Sequence, residues 1–271
     1  MARNILAEIV EAKRKELEQA RADCPIERLG QEVLSAPPVR NFFQACVQRP
    51  RRLVNVIAEV KRASPSAGVI RSEVDPAAVA RRYQAVGAVA VSVLTDRTYF
   101  GGSLDDLRQV RAAVELPVLR KDFIIDAYQV YQSRAAGADA ILLIAECLTP
   151  GAMMDLVILA QSLRLTCLIE VHGMEQMMRM RSVIGFPHAS YSLLGINNRD
   201  LTSFQVDVAT TLRLAELAQD PRTLVSESGI KARRDVERLA AAGVNTVLVG
   251  EALMRSDDVA ATMDELFGEP R

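Results

Sequence analysis

The sequence predicts an α/β protein, a (β/α)8 TIM barrel with an N-terminal helical extension, on three observations. From residue 53 onward, eight short apolar segments alternate with segments of helical periodicity. The apolar segments are continuous runs, which is typical of parallel strands covered on both faces. Five of them end in a polar residue able to do proton chemistry, and active sites in (β/α)8 barrels lie at the carboxyl ends of the strands. We expect one domain, with 1–52 packed on a barrel of 53–271.

The extension is predicted to be helical only in part. Residues 4–22 carry apolar side chains such as Ile5, Ile9 and Leu17 at helical spacing among Glu and Lys. Prolines interrupt residues 23–52, so a short helix near 41–47 is the only one expected there.

The remainder of the chain divides into strand–helix units. Strands are predicted at 53–60, 88–94, 117–120, 139–145, 166–171, 192–196, 222–226 and 245–249. Predicted helices include 76–86, 104–114, 127–136, 151–163, 208–218 and 232–241. Gly87, Gly137 and Gly243 end three helices where a left-handed cap is expected. An open doubly wound sheet also accommodates eight strands, but its usual glycine-rich phosphate turn after the first strand is missing from this sequence.

The composition excludes several classes of function. A net charge of −1 gives no electrostatic surface for nucleic acid or an anionic membrane, and no apolar run is long enough to span a bilayer. Acidic residues interrupt the N-terminal segment, so it is not expected to be a signal peptide. Four scattered cysteines and two histidines make a zinc cluster improbable and suit a reducing compartment. We expect a cytoplasmic protein that uses no metal or cofactor.

The candidate catalytic residues close the apolar segments or follow them directly. They are Glu59, Lys61, Lys121, Glu170, Asn197 and Glu227. Glu59 and Lys61 lie two residues apart and should point the same way, since strand side chains alternate between faces. Charged groups at the ends of buried strands are costly unless they are paired or used.

Each candidate also has a structural interpretation. Glu59 and Lys61 could form an ion pair that closes the barrel, and Lys121 could pair with Asp122, although Asp122 should face the opposite side of its strand. The Asn197 cluster alone is typical of a turn. Glu146 is expected to be a loop residue, and His172 and His188 suggest no role.

Two segments suggest a phosphate site, namely 226–230 (SESGI) and 248–254 (LVGEALM), which lie at the ends of the seventh and eighth strands. Gly229 and Gly250 permit close backbone approach, and helices starting just after them would present free N–H groups to an anion. Phe100, Phe123 and Leu201 come after strand ends as well and could form an apolar slot for a flat ring, although core packing is their default interpretation.

Six motifs in the same order resemble the indole-3-glycerol-phosphate synthase family of tryptophan biosynthesis over nearly the whole chain. They are 56–66 (VIAEVKRASPS), 92–96 (SVLTD), 99–104 (YFGGSL), 119–126 (LRKDFIID), 195–201 (GINNRDL) and 225–230 (VSESGI). The resemblance implies the (β/α)8 fold, with the N-terminal helix over the catalytic end. It also implies conversion of 1-(2-carboxyphenylamino)-1-deoxyribulose 5-phosphate to indole-3-glycerol phosphate, carbon dioxide and water.

The resemblance also implies residue roles. Lys121 would be the acid that protonates the ketone oxygen, and Lys61 would serve the phosphate end or the dehydration step. Two close lysines should lower one another's pKa. The glutamates would stabilise positive charge on the anilino nitrogen, and Glu59 or Glu170 would accept a proton during dehydration.

The resemblance places the other candidates around the substrate. Asn197 would hold a hydroxyl or orient a carboxylate, and Arg199 and Ser64 would reach the substrate carboxylate. Phosphate would be bound at Ser228, Gly229, Gly250 and Glu251. Glu251 departs from the family's frequent serine, so it would contribute its backbone N–H alone. The family's usual first-loop basic residue is replaced by Ala67 and a frequent acidic residue by Gly173, while 184–191 is longer than usual and has no assignment.

Two rival functions also fit the sequence. One is a phosphosugar aldolase in which Lys121 forms a Schiff base, although this would not explain three surrounding glutamates. The other is a catalytically silent barrel that binds a phosphorylated metabolite. We expect a monomer or a weak homodimer that binds a small phosphorylated substrate.

Overall fold

The computed structural model describes residues 5–184, 192–200 and 205–270. Eight parallel strands close into a barrel, as predicted: β1 (Asn55–Val60), β2 (Ala90–Leu94), β3 (Val118–Lys121), β4 (Ala140–Ile144), β5 (Thr166–Val171), β6 (Ser192–Asn197), β7 (Leu224–Glu227) and β8 (Thr246–Val249). The barrel closes through β1, which pairs with β2 from Ile57 opposite Ala90 and with β8 from Asn55 opposite Thr246.

Twelve α-helices are present in the described part of the chain. They are α1 (Ile5–Asp23), α2 (Ile26–Ser35), α3 (Phe42–Val47), α4 (Pro76–Ala85), α5 (Leu104–Ala113), α6 (Ala127–Ala135), α7 (Pro150–Ser162), α8 (Met174–Ile184), α9 (Ala209–Ala215), α10 (Arg233–Ala241), α11 (Glu251–Arg255) and α12 (Val259–Phe267). Local chemistry sets their ends: the Asp75 side chain accepts the amide of Ala78 at the start of α4. Gly87, Gly137 and Gly243 all have positive φ, which confirms the predicted left-handed caps.

The structure corrects the sequence prediction in two places. Residues 23–52 contain a second helix, α2, which Pro25 does not break because it stands at the N-cap position, where a missing N–H costs nothing. The loop after β1 contains a short antiparallel hairpin, Ala63–Ser64 with Gly68–Val69, that the sequence did not indicate. Most of the long segment at 184–191 lies outside the described residues.

Alternate residues of each strand fill the barrel interior. Ile57, Leu119 and Leu168 belong to one cluster inside the barrel. Val56 and Ala58, the neighbours of Ile57 along β1, pack outward under the helices. The amino-terminal end of the barrel is closed by α3, which places Phe42 and Cys46 in the same inner cluster. The Asn55 and Thr246 side chains donate to the Cys46 carbonyl oxygen at 2.8 and 2.6 Å, and so attach α3 to β1 and β8.

The first helix lies at the opposite, carboxyl end of the barrel. Lys13 of α1 is buried, and its Nζ lies 3.0 Å from a carboxylate oxygen of Asp96 and 3.0 Å from one of Asp122. Burial lowers the pKa of Lys13, but the two carboxylates outweigh burial and raise it. A further ion pair joins Arg21 to Asp126 at 2.6 Å. None of the described helices combines the length and the apolar character that a membrane crossing requires.

Candidate active site

A cavity of about 770 Å³ opens at the carboxyl ends of the strands. The residues predicted for the site that line it are Glu59, Lys61, Ser64, Phe100, Lys121, Phe123, Glu170, Asn197, Arg199, Glu227, Ser228, Gly229, Gly250 and Glu251. Leu201 lies outside the described residues. Helix α1 adds Ile5, Leu6 and Ile9 to the lining, so it lies over the cavity as the family resemblance implied.

Glu59 and Lys61 face the cavity as a pair. The Lys61 Nζ lies 2.7 Å from Glu59 Oε1, which confirms that the two side chains point the same way at the carboxyl end of β1. Glu59 is 4% exposed and its carboxylate lies against Gly250, where an added Cβ would overlap it. Gly250 therefore leaves the room that the Glu59 carboxylate occupies.

Lys121 lies among carboxylates. Its Nζ is 3.3 Å from Glu227 Oε2 and 3.5 Å from Glu170 Oε2. Burial lowers the pKa of Lys121, but Glu227, Glu170 and Glu59 outweigh burial and raise it. The expectation that the lysines lower one another's pKa is therefore wrong for Lys121: the carboxylates dominate its surroundings, and it is a charged donor.

Glu170 and Glu227 behave as an unequal pair. Burial raises the pKa of Glu227 to about 8, helped by the charge of Glu170 and opposed by Lys121. For Glu170, burial is outweighed by Lys121 and His172, which lower the pKa, and Asn197 Nδ2 donates to its Oε1 at 3.3 Å. Glu170 is therefore the more readily ionised of the two, and Glu227 holds its proton to higher pH, a division of acid and base in neighbouring carboxyl groups.

Asp122 faces away from Lys121, as predicted from strand alternation. Its carboxylate pairs with Arg120 at 2.8 Å, accepts the Thr95 hydroxyl at 2.6 Å and contacts Lys13. Burial raises the pKa of Asp122, but Arg120 and Lys13 outweigh it and lower the pKa below its usual range. Asp122 therefore connects α1 to the strand that carries Lys121.

The loop after β7 has a left-handed turn at Ser228 and Gly229, with φ of 64° and 82°. Asn198 is buried and holds this loop, since its side-chain Nδ2 donates to the carbonyl oxygens of both Glu227 and Ser228 at 3.0 Å. The sequence did not predict this role: Asn198 belongs to the Asn197 cluster, which is typical of a turn, and an Asn beside a strand end is too common to indicate more.

The two phosphate loops differ at their helix starts. Helix α11 begins at Glu251, directly after Gly250, as predicted. After Gly229, however, α10 begins only at Arg233, and the Asp235 carboxylate accepts the amides of Lys231 and Ala232 at 3.2 and 3.1 Å. The helix predicted at 232–241 is therefore present, but Asp235 occupies the amides of Lys231 and Ala232, so an anion there would bind other amides.

Two aromatic rings form one wall of the cavity. Phe100 and Phe123 lie with their ring centroids 6.1 Å apart at an interplanar angle of 39°. Leu142 and Ile144 of β4 line the same cavity. Together they provide the apolar surface that a planar ring requires, next to the ionisable groups.

The sequence missed His172, which the structure places behind Glu170. Its Nδ1 lies 3.0 Å from Glu146 Oε1 and its Nε2 lies 3.6 Å from Glu170 Oε1. The sequence did contain a signal for this position. Glu170 and His172 are two residues apart, as Glu59 and Lys61 are, so their side chains should point the same way. No group of three metal-ligating side chains occurs in the ranges that the structure covers.

Fold and site together define a (β/α)8-barrel enzyme with acid–base groups at the carboxyl ends of its strands. The family model for indole-3-glycerol phosphate synthase matches residues 6–266, so this chain belongs to that family.

Relatives agree with this membership. An indole-3-glycerol phosphate synthase from Polaromonas naphthalenivorans is 45% identical over 98% of this chain and 99% of its own, and one from Desulforamulus reducens is 43% identical over 97% and 96%. Among solved structures, 3-hexulose-6-phosphate synthase from Salmonella typhimurium superposes with a TM-score of 0.60 at 9% identity, covering 78% of this chain and 96% of that chain. That likeness concerns the fold alone.

Proposed function

We propose that this chain is an indole-3-glycerol-phosphate synthase that converts 1-(2-carboxyphenylamino)-1-deoxyribulose 5-phosphate to indole-3-glycerol phosphate, carbon dioxide and water in tryptophan biosynthesis. The observation that carries the proposal is the position of Lys121. It is a charged donor held between Glu170 and Glu227, in the same cavity as the Phe100 and Phe123 rings and the Gly229 and Gly250 loops.

Ring closure needs an acid at the ketone oxygen. In the proposed step, the ring carbon that bears the carboxylate bonds to the ketone carbon while Lys121 donates a proton to the ketone oxygen. Loss of carbon dioxide returns its bonding electrons to the ring. Ser64 and Arg199, which line the cavity, would hold the departing carboxylate, and Asn197 would hold a substrate hydroxyl.

Dehydration needs an acid and a base on neighbouring carbons. Lys61 would protonate the leaving hydroxyl, and ionised Glu170 would accept the proton from the adjacent carbon. Glu59, and Glu227 in its ionised form, would stabilise the positive charge that develops on the anilino nitrogen. The positions of the side chains support this division, because Lys61 lines the cavity beside Glu59, 2.7 Å from its carboxylate, while Asn197 donates to Glu170.

The phosphate end of the substrate would lie against the loops after β7 and β8. Ser228, Gly229, Gly250 and the backbone of Glu251 line that side of the cavity. The Glu251 side chain pairs with Arg255 at 3.0 Å, which supports a backbone role for this residue.

The aldolase alternative needs a neutral Lys121 as nucleophile. The carboxylates that raise the pKa of Lys121 disfavour this form. We also propose that the chain works without cofactor or metal, binds neither nucleic acid nor membrane, and acts in the cytoplasm as a monomer or weak homodimer. All four cysteines are free thiols, which supports a reducing compartment.

The test is incubation of the purified chain with the carboxyphenylamino-deoxyribulose phosphate while indole fluorescence and carbon dioxide are recorded. The proposal expects both products in equal amounts. Consumption of substrate without an indole product, or trapping of substrate on Lys121 by borohydride, would refute it.

A further inference from the structure

His172 is a largely buried side chain that none of the steps above uses. It lies two residues beyond Glu170 on β5 and does not line the cavity. Its Nδ1 lies 3.0 Å from Glu146 Oε1, in the short 3-10 helix Ala145–Cys147 after β4. Because an ionised carboxylate can only accept, this contact places a hydrogen on Nδ1.

The other ring nitrogen faces Glu170. Nε2 is buried and lies 3.6 Å from Glu170 Oε1, and no hydrogen-bond partner for it occurs in the described part of the chain. A bare Nε2 would direct its lone pair at a carboxylate oxygen, which is repulsive. A protonated Nε2 turns the same contact into an ion pair, so the geometry favours an imidazolium between two carboxylates.

The charged groups around the ring agree with this assignment. Burial lowers the pKa of His172, but Glu146, Glu170 and the more distant Glu227 outweigh it and raise the pKa. Arg179 of α8 donates to the carbonyl oxygen of Ala145 at 2.7 Å and so fixes the backbone beside Glu146. In the same short helix, burial first of all, and then Glu170 and Glu146, raise the pKa of the Cys147 thiol to about 12, so it stays neutral.

Glu170 therefore has three donors at defined positions. Oε1 faces Asn197 and His172, and Oε2 faces Lys121. We propose that His172, held by Glu146, is a positioning residue that keeps the Glu170 carboxylate ionised and oriented for proton transfer. This inference rests on the proposed function for the step that Glu170 performs, but not for the state of the imidazolium itself.

The first experiment needs no turnover. The chain has two histidines, so His188→Gln leaves His172 as the only imidazole, and nitrogen-15 spectra then report on both ring nitrogens through a pH titration. We expect both nitrogens to be protonated at neutral pH, with a midpoint above the ordinary value of about 6.5. Glu146→Gln should move that midpoint down. A neutral ring at pH 7, or a midpoint unaffected by Glu146→Gln, would overturn the inference.

The second experiment separates positioning from packing by kinetics. His172→Leu should move the acidic limb of the kcat/KM profile about one unit higher and lower kcat about 10-fold, since Glu170 then binds its proton more tightly. KM should change less than about 2-fold, because the ring does not contact substrate. His172→Gln keeps an N–H donor and should recover part of kcat, but not the position of the limb.

Failure of this inference and failure of the proposed function give different results. Variants that lower the melting temperature while the acidic limb stays in place would show that His172 only packs, and the inference would fall. If the unmodified chain makes no indole product, the proposed function falls instead, whereas the nitrogen-15 titration still decides the state of His172.

Discussion

Replacing Lys13 with methionine should release α1 from the cavity while the barrel stays folded. The Lys13 Nζ lies 3.0 Å from carboxylate oxygens of both Asp96 and Asp122, and the side chain is 3% exposed. Methionine has similar bulk but leaves both carboxylates without this cation. Asp122 keeps Arg120 and Thr95, so most of the loss falls on Asp96.

The magnitude depends on the burial of the contact. Removing one partner of a buried ion pair costs about 3–5 kcal/mol, and the remaining partners of Asp122 favour the lower end. A loss of about 3 kcal/mol weakens docking of the helix about 100-fold. A released helix is marginally stable in water, so α1 should then exchange its amide hydrogens at close to unprotected rates.

Hydrogen exchange and steady-state kinetics on one preparation test whether α1 is released and whether its release impairs catalysis. Lys13→Met should lose protection in α1 alone, and its KM should rise about 10-fold, because Ile5, Leu6 and Ile9 no longer cover the apolar slot and exclude water. Lys15→Met, an exposed change on the same helix, is the matched control and should alter neither property. If α1 loses protection but the kinetics stay unchanged, the helix is not a lid.

A truncation that tests whether α1 covers the cavity should end before residue 25. A longer deletion, of 1–40, also removes contacts that support the barrel. The Arg40 amide donates to Asp139 at 2.7 Å, and Arg134 and Arg111 bind the carbonyl oxygens of Pro37 and Pro38. Deleting 1–24 removes α1 alone and should raise KM or lower kcat with cooperative unfolding retained.

Four further predictions concern the cavity. Lys121→Met should lower kcat about 10²–10⁴-fold with the fold intact, and more than a third of the activity remaining would contradict its role as the acid. A substrate without its phosphate should lose kcat as well as KM, and equal kcat values would show that the phosphate site is misplaced. Because the pKa of Glu227 is raised to about 8 in the folded chain, its contribution to stability is present at low pH and is lost as pH rises from about 4.5 to 8. The free energy of unfolding in urea, measured at these two pH values, should therefore differ less in Glu227→Gln than in the unmodified chain. An equal difference would contradict the shift. Gly195→Ala should lower kcat about 10-fold, since its Cβ would overlap the Glu227 carboxylate, whereas Gly151→Ala, in open space, should leave kcat unchanged.

Strand positions and the catalytic face could be predicted because they depend on period and burial. Each predicted strand agrees with its observed bounds to within about two residues, and the alternation that separates Lys121 from Asp122 is a property of any strand. The position of α1 came from the family resemblance, because an apolar stripe requires burial but does not specify where.

The features that the sequence did not indicate depend on contacts between distant segments. In the sequence, Lys13 is indistinguishable from the solvent-facing lysines of an amphipathic helix until Asp96 and Asp122 are placed beneath it. The pKa order of Glu170 and Glu227 depends on which of them is nearer to other donors, and no local pattern contains that information. Pro25 begins a helix rather than breaking one, and the choice between these outcomes depends on how the residues after it pack in the folded chain.

The two ends of the chain are not equivalent places to attach a tag or a fusion partner. A polypeptide joined at the amino terminus enters the structure within a few residues of Ile5, which lines the cavity. One joined at the carboxyl terminus leaves near Phe267, whose carbonyl oxygen accepts the amide of Leu53 just before β1 begins, at the end of the barrel that α3 closes. Immobilisation or display through the carboxyl terminus therefore leaves substrate access open, while the same attachment at the amino terminus crowds it.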